Sequence, residues 1–101
     1  MAKTSQVHRD RKRERLITRY AARRAELRRV LKGAEVSQDE KLAAQAALEK
    51  LPRNSCRTRL TRRCLLTGRA RGGYQKFGLS RIMLRQLALE GKIPGMTKSS
   101  W

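Results

Sequence analysis

The chain has 101 residues, of which 26 are Lys or Arg and 8 are Asp or Glu, so its formal net charge is +18. Its large aliphatic and phenylalanine side chains amount to 13 Leu, 3 Ile, 3 Val and 1 Phe. So few apolar groups cannot offset the conformational entropy of ordering a chain of this charge. The composition therefore disfavours an independently folded enzyme and favours a polyanionic partner.

The charge is concentrated in two arms. Residues 1–32 carry +9 and residues 52–101 carry +11, whereas the spacer 33–51 carries −2. This layout is typical of a protein that threads between separate stretches of nucleic acid. We divide the chain accordingly into a helical N-terminal arm, residues 1–52, and a C-terminal region, residues 53–101, that is expected to bind nucleic acid.

The first arm is expected to be one long basic helix. Residues 3–32 contain neither Gly nor Pro and are rich in strong helix formers. Gly33 is a natural stop, and we expect fraying before about Val7. Apolar side chains recur at spacings of 3, 4 and 7 and form one narrow stripe, made of Leu16, Ile17, Tyr20, Leu27, Val30 and Leu31.

A second, shorter helix is expected next. Ser37 and Glu40 have the spacing of a capping box, in which each side chain satisfies a backbone amide of the other residue. Pro52 ends this Ala-rich segment. We expect the helix to fold back on the first one as a hairpin and to act as a structural spacer.

The rest of the chain is predicted to be less regular. Residues 53–64 are expected to form an extended, arginine-rich loop along phosphates. Residues 64–77, with Gly68, Gly72 and Gly73, favour a small irregular hairpin. Ser80 is expected to cap a short helix that Gly91 ends. The predicted fold class is mainly α and extended, with a zinc-ribbon-like hairpin that has lost its metal ligands.

The sequence contains few residues in a setting that suits catalysis. The single histidine, His8, lies in the basic arm without apolar shelter, and no Gly-rich phosphate loop is present. We expect no enzymatic activity and no cofactor. No apolar run exceeds three residues, so we expect neither a membrane span nor a secretory signal, and a cytoplasmic location.

Four positions have the spacing of a zinc site without its ligands. Residues 64, 67, 80 and 83 follow the pattern C-x-x-C…C-x-x-C but read Cys64, Thr67, Ser80 and Met83. One thiolate cannot hold a tetrahedral Zn²⁺. We therefore predict no metal, and we expect apolar packing to replace it, from the side chains of Leu65, Tyr74, Phe77, Ile82 and Met83.

Several segments resemble the universal family of small-subunit ribosomal protein number fourteen. The resemblance covers nearly the whole chain and is most specific over residues 62–101. It lies in Arg63-Cys64-Leu65-Leu66-Thr67-Gly68-Arg69, in residues 74–82, in the ending Gly91–Trp101, in Leu51-Pro52-Arg53-Asn54-Ser55 and in the basic amino-terminal helix. Thr67, Ser80 and Met83 match the long, zinc-free bacterial form.

The resemblance implies a structural role in the ribosome. It implies a protein of the small-subunit head that binds the small-subunit (16S-type) rRNA, is needed for assembly and shapes the RNA near the A site. The implied neighbours are ribosomal proteins three and ten, with protein nineteen as a further candidate. The implied location is the cytoplasmic ribosome. Cys56 lies outside the family pattern, and we assign it no role.

The residues expected to contact RNA are mostly arginines. Arginine can place two donors on one phosphate, and folded RNA exposes phosphates and unstacked bases. Tyr74 and Trp101 are expected to stack on bases, whereas Phe77 is expected to belong to the small core. The predicted set is Arg53, Arg57, Arg59, Arg62, Arg63, Arg69, Arg71, Tyr74, Lys76, Arg81, Arg85, Lys98 and Trp101.

Two other classes of function remain as alternatives. Charge alone would also suit a DNA-binding or nucleoid-associated protein, but no helix-turn-helix with a recognition helix is evident. A cationic membrane-surface helix would need a broad aromatic and aliphatic face. Residues 3–32 contain one aromatic side chain, Tyr20, which disfavours that class.

Overall fold

The computed structural model describes residues 2–99, and three α-helices hold most of its regular structure. Helix α1 spans Thr4–Lys32, α2 spans Gln38–Lys50 and α3 spans Arg81–Leu89. The remaining elements are short: two 3-10 turns, Arg53–Ser55 and Arg57–Arg59, and two strands, β1 (Gly73–Tyr74) and β2 (Leu79–Ser80). The prediction of a mainly α chain with a small hairpin and a short C-terminal helix is confirmed.

Local signals fix the ends of the first two helices. Helix α1 begins at Thr4, before Val7, where we expected regular helix to start. It ends directly before Gly33. The Ser37 hydroxyl accepts a hydrogen bond from the amide of Glu40 at 3.3 Å. This cap satisfies one of the amides that have no partner within α2.

The chain forms two compact units. One, the helical unit, is His8–Leu60, and the other, the C-terminal unit, combines the described residues of Met1–Val7 and Thr61–Trp101. The contacts that residues 53–60 make therefore place them in the helical unit. The functional division at residues 52 and 53 is a separate hypothesis about RNA binding.

Residues 53–60 are wound into turns, and the prediction of an extended loop here is wrong. The amide of Ser55 donates to the carbonyl of Pro52 at 3.0 Å, and the amide of Leu60 donates to that of Arg57 at 3.2 Å. These three-residue bonds define 3-10 turns. The segment is compact because side chains of α1 hold it, as described below.

The C-terminal unit contains the predicted hairpin. Strands β1 and β2 are antiparallel, and Gly73 pairs with Ser80. The connecting turn closes at Gly78, which has φ +66° and donates its amide to the Tyr74 carbonyl at 2.9 Å. A side chain at residue 78 would be strained in this left-handed conformation.

Helix α3 follows the hairpin directly. The Ser80 hydroxyl caps it by accepting from the amide of Met83 at 3.4 Å. At the other end, the amide of Gly91 donates to Ala88 and that of Lys92 donates to Leu87. This is the bond pattern of a Schellman motif, with Gly91 at φ +74°. Both predicted helix ends are confirmed.

Burial is slight in both units. Among residues 2–99, the buried apolar side chains are Leu27, Ala44, Cys64 and Leu84, and the buried polar ones are Asp10, Ser55 and Ser80. None of the helices in this range is long and apolar enough to span a lipid bilayer. The small core leaves little free energy to oppose the entropy of unfolding.

We therefore expect the full chain, free of nucleic acid, to unfold without a sharp transition. Differential scanning calorimetry at low and physiological salt should give a broad, shallow heat-capacity curve. Added sulfate should sharpen the curve by screening the net charge of +18. A narrow two-state transition in low-salt buffer would contradict this expectation.

Candidate nucleic-acid interface

The 3-10 turns present a group of exposed arginines. Arg53, Arg57 and Arg59 are exposed on them, and Arg62 is exposed shortly after. Among residues 2–99, none of the four forms an ion pair with a carboxylate. Arg59 also donates to the side-chain oxygen of Asn54 at 3.4 Å. Guanidinium groups without a carboxylate partner are available for bidentate bonds to phosphates.

Arg24 of α1 holds the first turn. Its Nε donates to the hydroxyl of Ser55 at 2.9 Å, and its Nη2 donates to the carbonyl of Pro52 at 3.3 Å. The Ser55 hydroxyl in turn donates to the Pro52 carbonyl. Ser55 is 1% exposed, so this bonding satisfies a hydroxyl that water does not reach.

Arg13 of α1 holds the second turn in the same way. Its Nη1 donates to a carboxylate oxygen of Asp10 at 3.2 Å and to the carbonyl of Arg59 at 3.3 Å. Asp10 is buried. Sequence reasoning missed Arg13 and Arg24, although both lie at spacings of 3 and 4 from members of the apolar stripe, such as Ile17 and Tyr20.

In the C-terminal unit, backbone hydrogen bonds build a tight turn at residues 64–69 and join it to the turn that closes at Gly78. The amide of Cys64 donates to Arg69 and that of Gly68 donates to Cys64, both at 2.9 Å, while the amide of Leu65 donates to Gly78 at 3.0 Å. The Arg63 guanidinium donates to the Gly68 carbonyl at 3.0 Å. Arg63 is half-buried, so part of its bonding capacity serves the fold.

Of the four positions with zinc-site spacing, Cys64, Thr67 and Ser80 lie at these turns and Met83 lies in α3. Cys64 and Ser80 are 5% and 0% exposed, and both Thr67 and the backbone of Ser80 interact with the Cys64 sulfur. The Ser80 hydroxyl is engaged in the α3 cap. Within residues 2–99, no three His, Cys, Asp or Glu side chains converge. This donor set does not fit Zn²⁺, which takes several thiolate or imidazole ligands.

The apolar packing predicted to replace the metal is wrong for three of its members. Leu65, Tyr74 and Ile82 are 82%, 52% and 50% exposed, whereas Phe77 and Met83 are half-buried. The turns are held instead by backbone hydrogen bonds around two small buried side chains, Cys64 and Ser80.

The Cys64 thiol has an altered acidity. Burial raises its pKa, but the Thr67 hydroxyl and then the backbone amides of Thr67, Ser80 and Leu66 outweigh that effect and lower the pKa from 9.0 to about 6. The Thr67 hydroxyl oxygen is itself buried. The lowered pKa favours the thiolate form of Cys64 at neutral pH.

This acidity predicts a pH dependence. Because the pKa of Cys64 is about 6 in the folded unit and 9.0 as an ordinary thiol, the thiolate stabilises the fold fully above pH 9. That contribution shrinks as the pH falls and vanishes below about pH 6. In assembled particles, the rate of Cys64 alkylation by iodoacetamide should level off above about pH 7, as measured by mass spectrometry.

The Thr67→Val variant should move that plateau to higher pH, since valine keeps the shape of threonine but lacks its hydroxyl dipole. A wild-type rate that still rises tenfold per pH unit between pH 7 and 8 would show an ordinary thiol and contradict the assignment.

The remaining predicted RNA contacts lie in the C-terminal unit. Arg71, Tyr74, Lys76, Arg81, Arg85 and Lys98 are exposed, and Arg69 is half-buried and donates to the Arg71 carbonyl at 3.2 Å. The Lys76 ammonium lies 5.6 Å from the centroid of the Phe77 ring. Trp101, a predicted stacking residue, falls outside the described residues.

Four of the predicted residues line one cleft. Tyr74, Arg81, Arg85 and Lys98 border a cavity of about 400 Å³ together with Leu84 and Met96. Each of these residues was predicted from the sequence to contact RNA, with no indication that they lie close together. The fold brings them together because α3 follows β2 without a connecting loop.

Two comparisons with known proteins give consistent results. The model of the family described as Ribosomal protein S14p/S29e matches residues 47–100. Proteins named small ribosomal subunit protein uS14 from Paramagnetospirillum magneticum, Opitutus terrae and Maricaulis maris are each 52% identical to this chain over 101 residues. The alignments cover the whole of both chains. The chain therefore belongs to the ribosomal protein S14p/S29e family.

Proposed function

We propose that the chain is a structural constituent of the small ribosomal subunit. In this role it binds the small-subunit (16S-type) rRNA in the head, is required for subunit assembly and shapes the rRNA near the A site. Family membership supports the ribosomal role, which is structural and not enzymatic. The location that follows is the cytoplasmic ribosome.

The observation that carries RNA binding is the set of arginines on the two 3-10 turns. Arg53, Arg57 and Arg59 are exposed, lack carboxylate partners among residues 2–99 and stand on a backbone that Arg13 and Arg24 hold. Because the backbone of these turns is already held, it loses little further conformational entropy when the arginines meet phosphates. The two basic regions on either side of a slightly acidic spacer support contacts with more than one stretch of RNA.

The proposed protein neighbours are ribosomal proteins three and ten, with protein nineteen as a further candidate. Exposed apolar side chains in the C-terminal unit, Leu65 at 82% and Leu66 at 59%, support contacts with protein as well as with RNA. A polar RNA surface would not cover such leucines well.

Sucrose-gradient sedimentation of a lysate that contains the epitope-tagged full chain tests the proposal. We expect the chain to sediment with small subunits and to move to the top of the gradient after extensive ribonuclease treatment. Sedimentation with chromosomal DNA, and release by deoxyribonuclease alone, would support the DNA-binding alternative instead. Depletion of the chain should lead to accumulation of incomplete small subunits.

A further inference from the structure

The cleft in the C-terminal unit combines an apolar floor with an exposed aromatic ring. Leu84 is buried at 8% exposure, and Met96 and Tyr74 are 39% and 52% exposed. All three line the same cavity of about 400 Å³. A cavity of this size and lining suits a flat, partly apolar group of a small ligand.

The rim of the cleft is cationic. Arg81 and Arg85 lie four residues apart on α3, so their side chains project from the same face of the helix one turn apart. Lys98 adds a third positive charge, and no carboxylate lines the cleft within residues 2–99. The only acidic residue of the C-terminal arm, Glu90, pairs with Lys92 at 2.8 Å. The rim therefore favours an anionic ligand.

The fold constrains one of these cations. The aliphatic stem of Arg81 crosses Gly72, where a Cβ atom would lie 3.3 Å from its Cδ. The amide of Arg81 also donates to the Gly72 carbonyl at 2.7 Å. Gly72 has φ +62°, a conformation that glycine adopts readily. The Arg81 stem is thus held beside Tyr74 before any ligand arrives.

We infer that this cleft binds one unstacked nucleotide of RNA. The base stacks on the Tyr74 ring above the apolar floor, and the adjoining phosphates bind Arg81, Arg85 and Lys98. Single-stranded RNA is commonly held by this combination of aromatic stacking and cationic contacts. An acidic peptide would satisfy the cations, but its Asp and Glu side chains offer no aromatic face to stack on the Tyr74 ring. The inference rests on the RNA-binding function proposed above and specifies the form of RNA that this cleft accepts.

Small subunits that carry the wild-type chain, Tyr74→Leu or Tyr74→Phe allow a direct test. Leucine keeps the apolar surface but removes the ring, and phenylalanine keeps the ring. Because Tyr74 is half exposed, neither change disturbs the core. Dimethyl sulfate and a carbodiimide, which modify unpaired bases, should find a protected base in wild-type and Tyr74→Phe subunits that becomes reactive in Tyr74→Leu subunits.

Rebinding of the purified full chain to small subunits depleted of it provides a second measurement. We expect Tyr74→Leu to bind about five- to a hundredfold more weakly, the range for loss of one base stack, and Tyr74→Phe to bind as the wild type does. Arg85→Gln should lower the slope of log affinity against log salt by about 0.7, the value for one phosphate contact in a single strand.

Several results would overturn the inference while the ribosomal function stands. One is that Tyr74→Leu keeps the wild-type affinity and leaves the base reactivity unchanged. Another is that Tyr74→Phe loses as much affinity as Tyr74→Leu does. A benzophenone amino acid at position 74 that crosslinks to protein instead of RNA would also overturn it. Failure of the wild-type chain to sediment with small subunits is a separate result, which would contradict the proposed function itself.

Discussion

Replacing Arg57, Arg59 and Arg62 together by glutamine should weaken binding to the small subunit by on the order of a hundredfold at physiological salt. These side chains are exposed and form no ion pairs with carboxylates among residues 2–99. Each phosphate contact contributes about 0.7–0.9 to the slope of log affinity against log salt, so the slope should fall by about 2 to 3. Rebinding to depleted subunits at several salt concentrations measures both values.

Two controls separate this site from net charge and from folding. In the first control, glutamine replaces Lys32, Lys41 and Lys50. This variant loses the same number of positive charges, but from the helical arm, and its slope of log affinity against log salt should fall much less. Arg63→Gln removes a guanidinium that donates to the Gly68 carbonyl, so it should loosen the turn at residues 64–68 as well as reduce binding. If the lysine variant loses as much slope as the arginine variant, the turns are not at the phosphates.

Arg24→Met should release residues 52–60 from α1. The change removes the bonds from the guanidinium to Ser55 and Pro52 while methionine keeps the apolar part of the stem. Loss of a hydrogen bond from a charged group costs about 1.5–3 kcal/mol, which corresponds to roughly ten- to a hundredfold faster local opening. Hydrogen–deuterium exchange of assembled subunits should show this acceleration at the amides of Ser55, Cys56, Arg59 and Leu60.

Arg23→Met is the matched control, because it makes the same change of charge and size one residue away. Arg23 is exposed and pairs with Glu26 at 3.2 Å, and an exposed pair of this kind contributes at most about 1 kcal/mol. Exchange in residues 52–60 should therefore stay near the wild-type rate in Arg23→Met. Equal acceleration in both variants would show that Arg24 does not hold the turns.

The helices and their ends could be predicted because their signals are local. Ser37 and Ser80 cap the helices that follow them, and Gly33 and Gly91 lie just beyond helix ends. The zinc-site spacing of residues 64, 67 and 80 also indicated that these residues lie close together. Each of these features depends on residues a few positions apart, where backbone geometry leaves few choices.

The fold of residues 53–60 could not be predicted because its cause is distant. Arg24 lies 31 residues before Ser55 along the chain, and nothing within the segment itself signals a turn. A partial signal did exist in α1. Its less exposed side chains alternate at spacings of 3 and 4 and include three charged residues, in the series Asp10, Arg13, Ile17, Tyr20, Arg24, Leu27 and Leu31. A charge in an apolar stripe indicates a buried polar contact.

The exposed Leu65 and Ile82 were misjudged for a different reason. Apolar residue type suggested a core, yet a unit with so few buried side chains is held mainly by backbone bonds such as that from Leu65 to Gly78 at 3.0 Å. In a chain of this composition, hydrophobicity is a weak guide to burial.

The C-terminal unit combines two segments that lie far apart in the sequence, and this affects how a newly made copy folds. The amide of Ala2 donates to the carbonyl of Thr67 at 3.4 Å, and Val7 lies beside Gly68. During translation, residues 2–7 emerge well before these partners and cannot pair until the later segment has left the exit tunnel. The loop between the two segments must close, at a cost in conformational entropy, before these contacts form. We therefore expect residues 2–7 to join this unit late in the folding of a newly made copy.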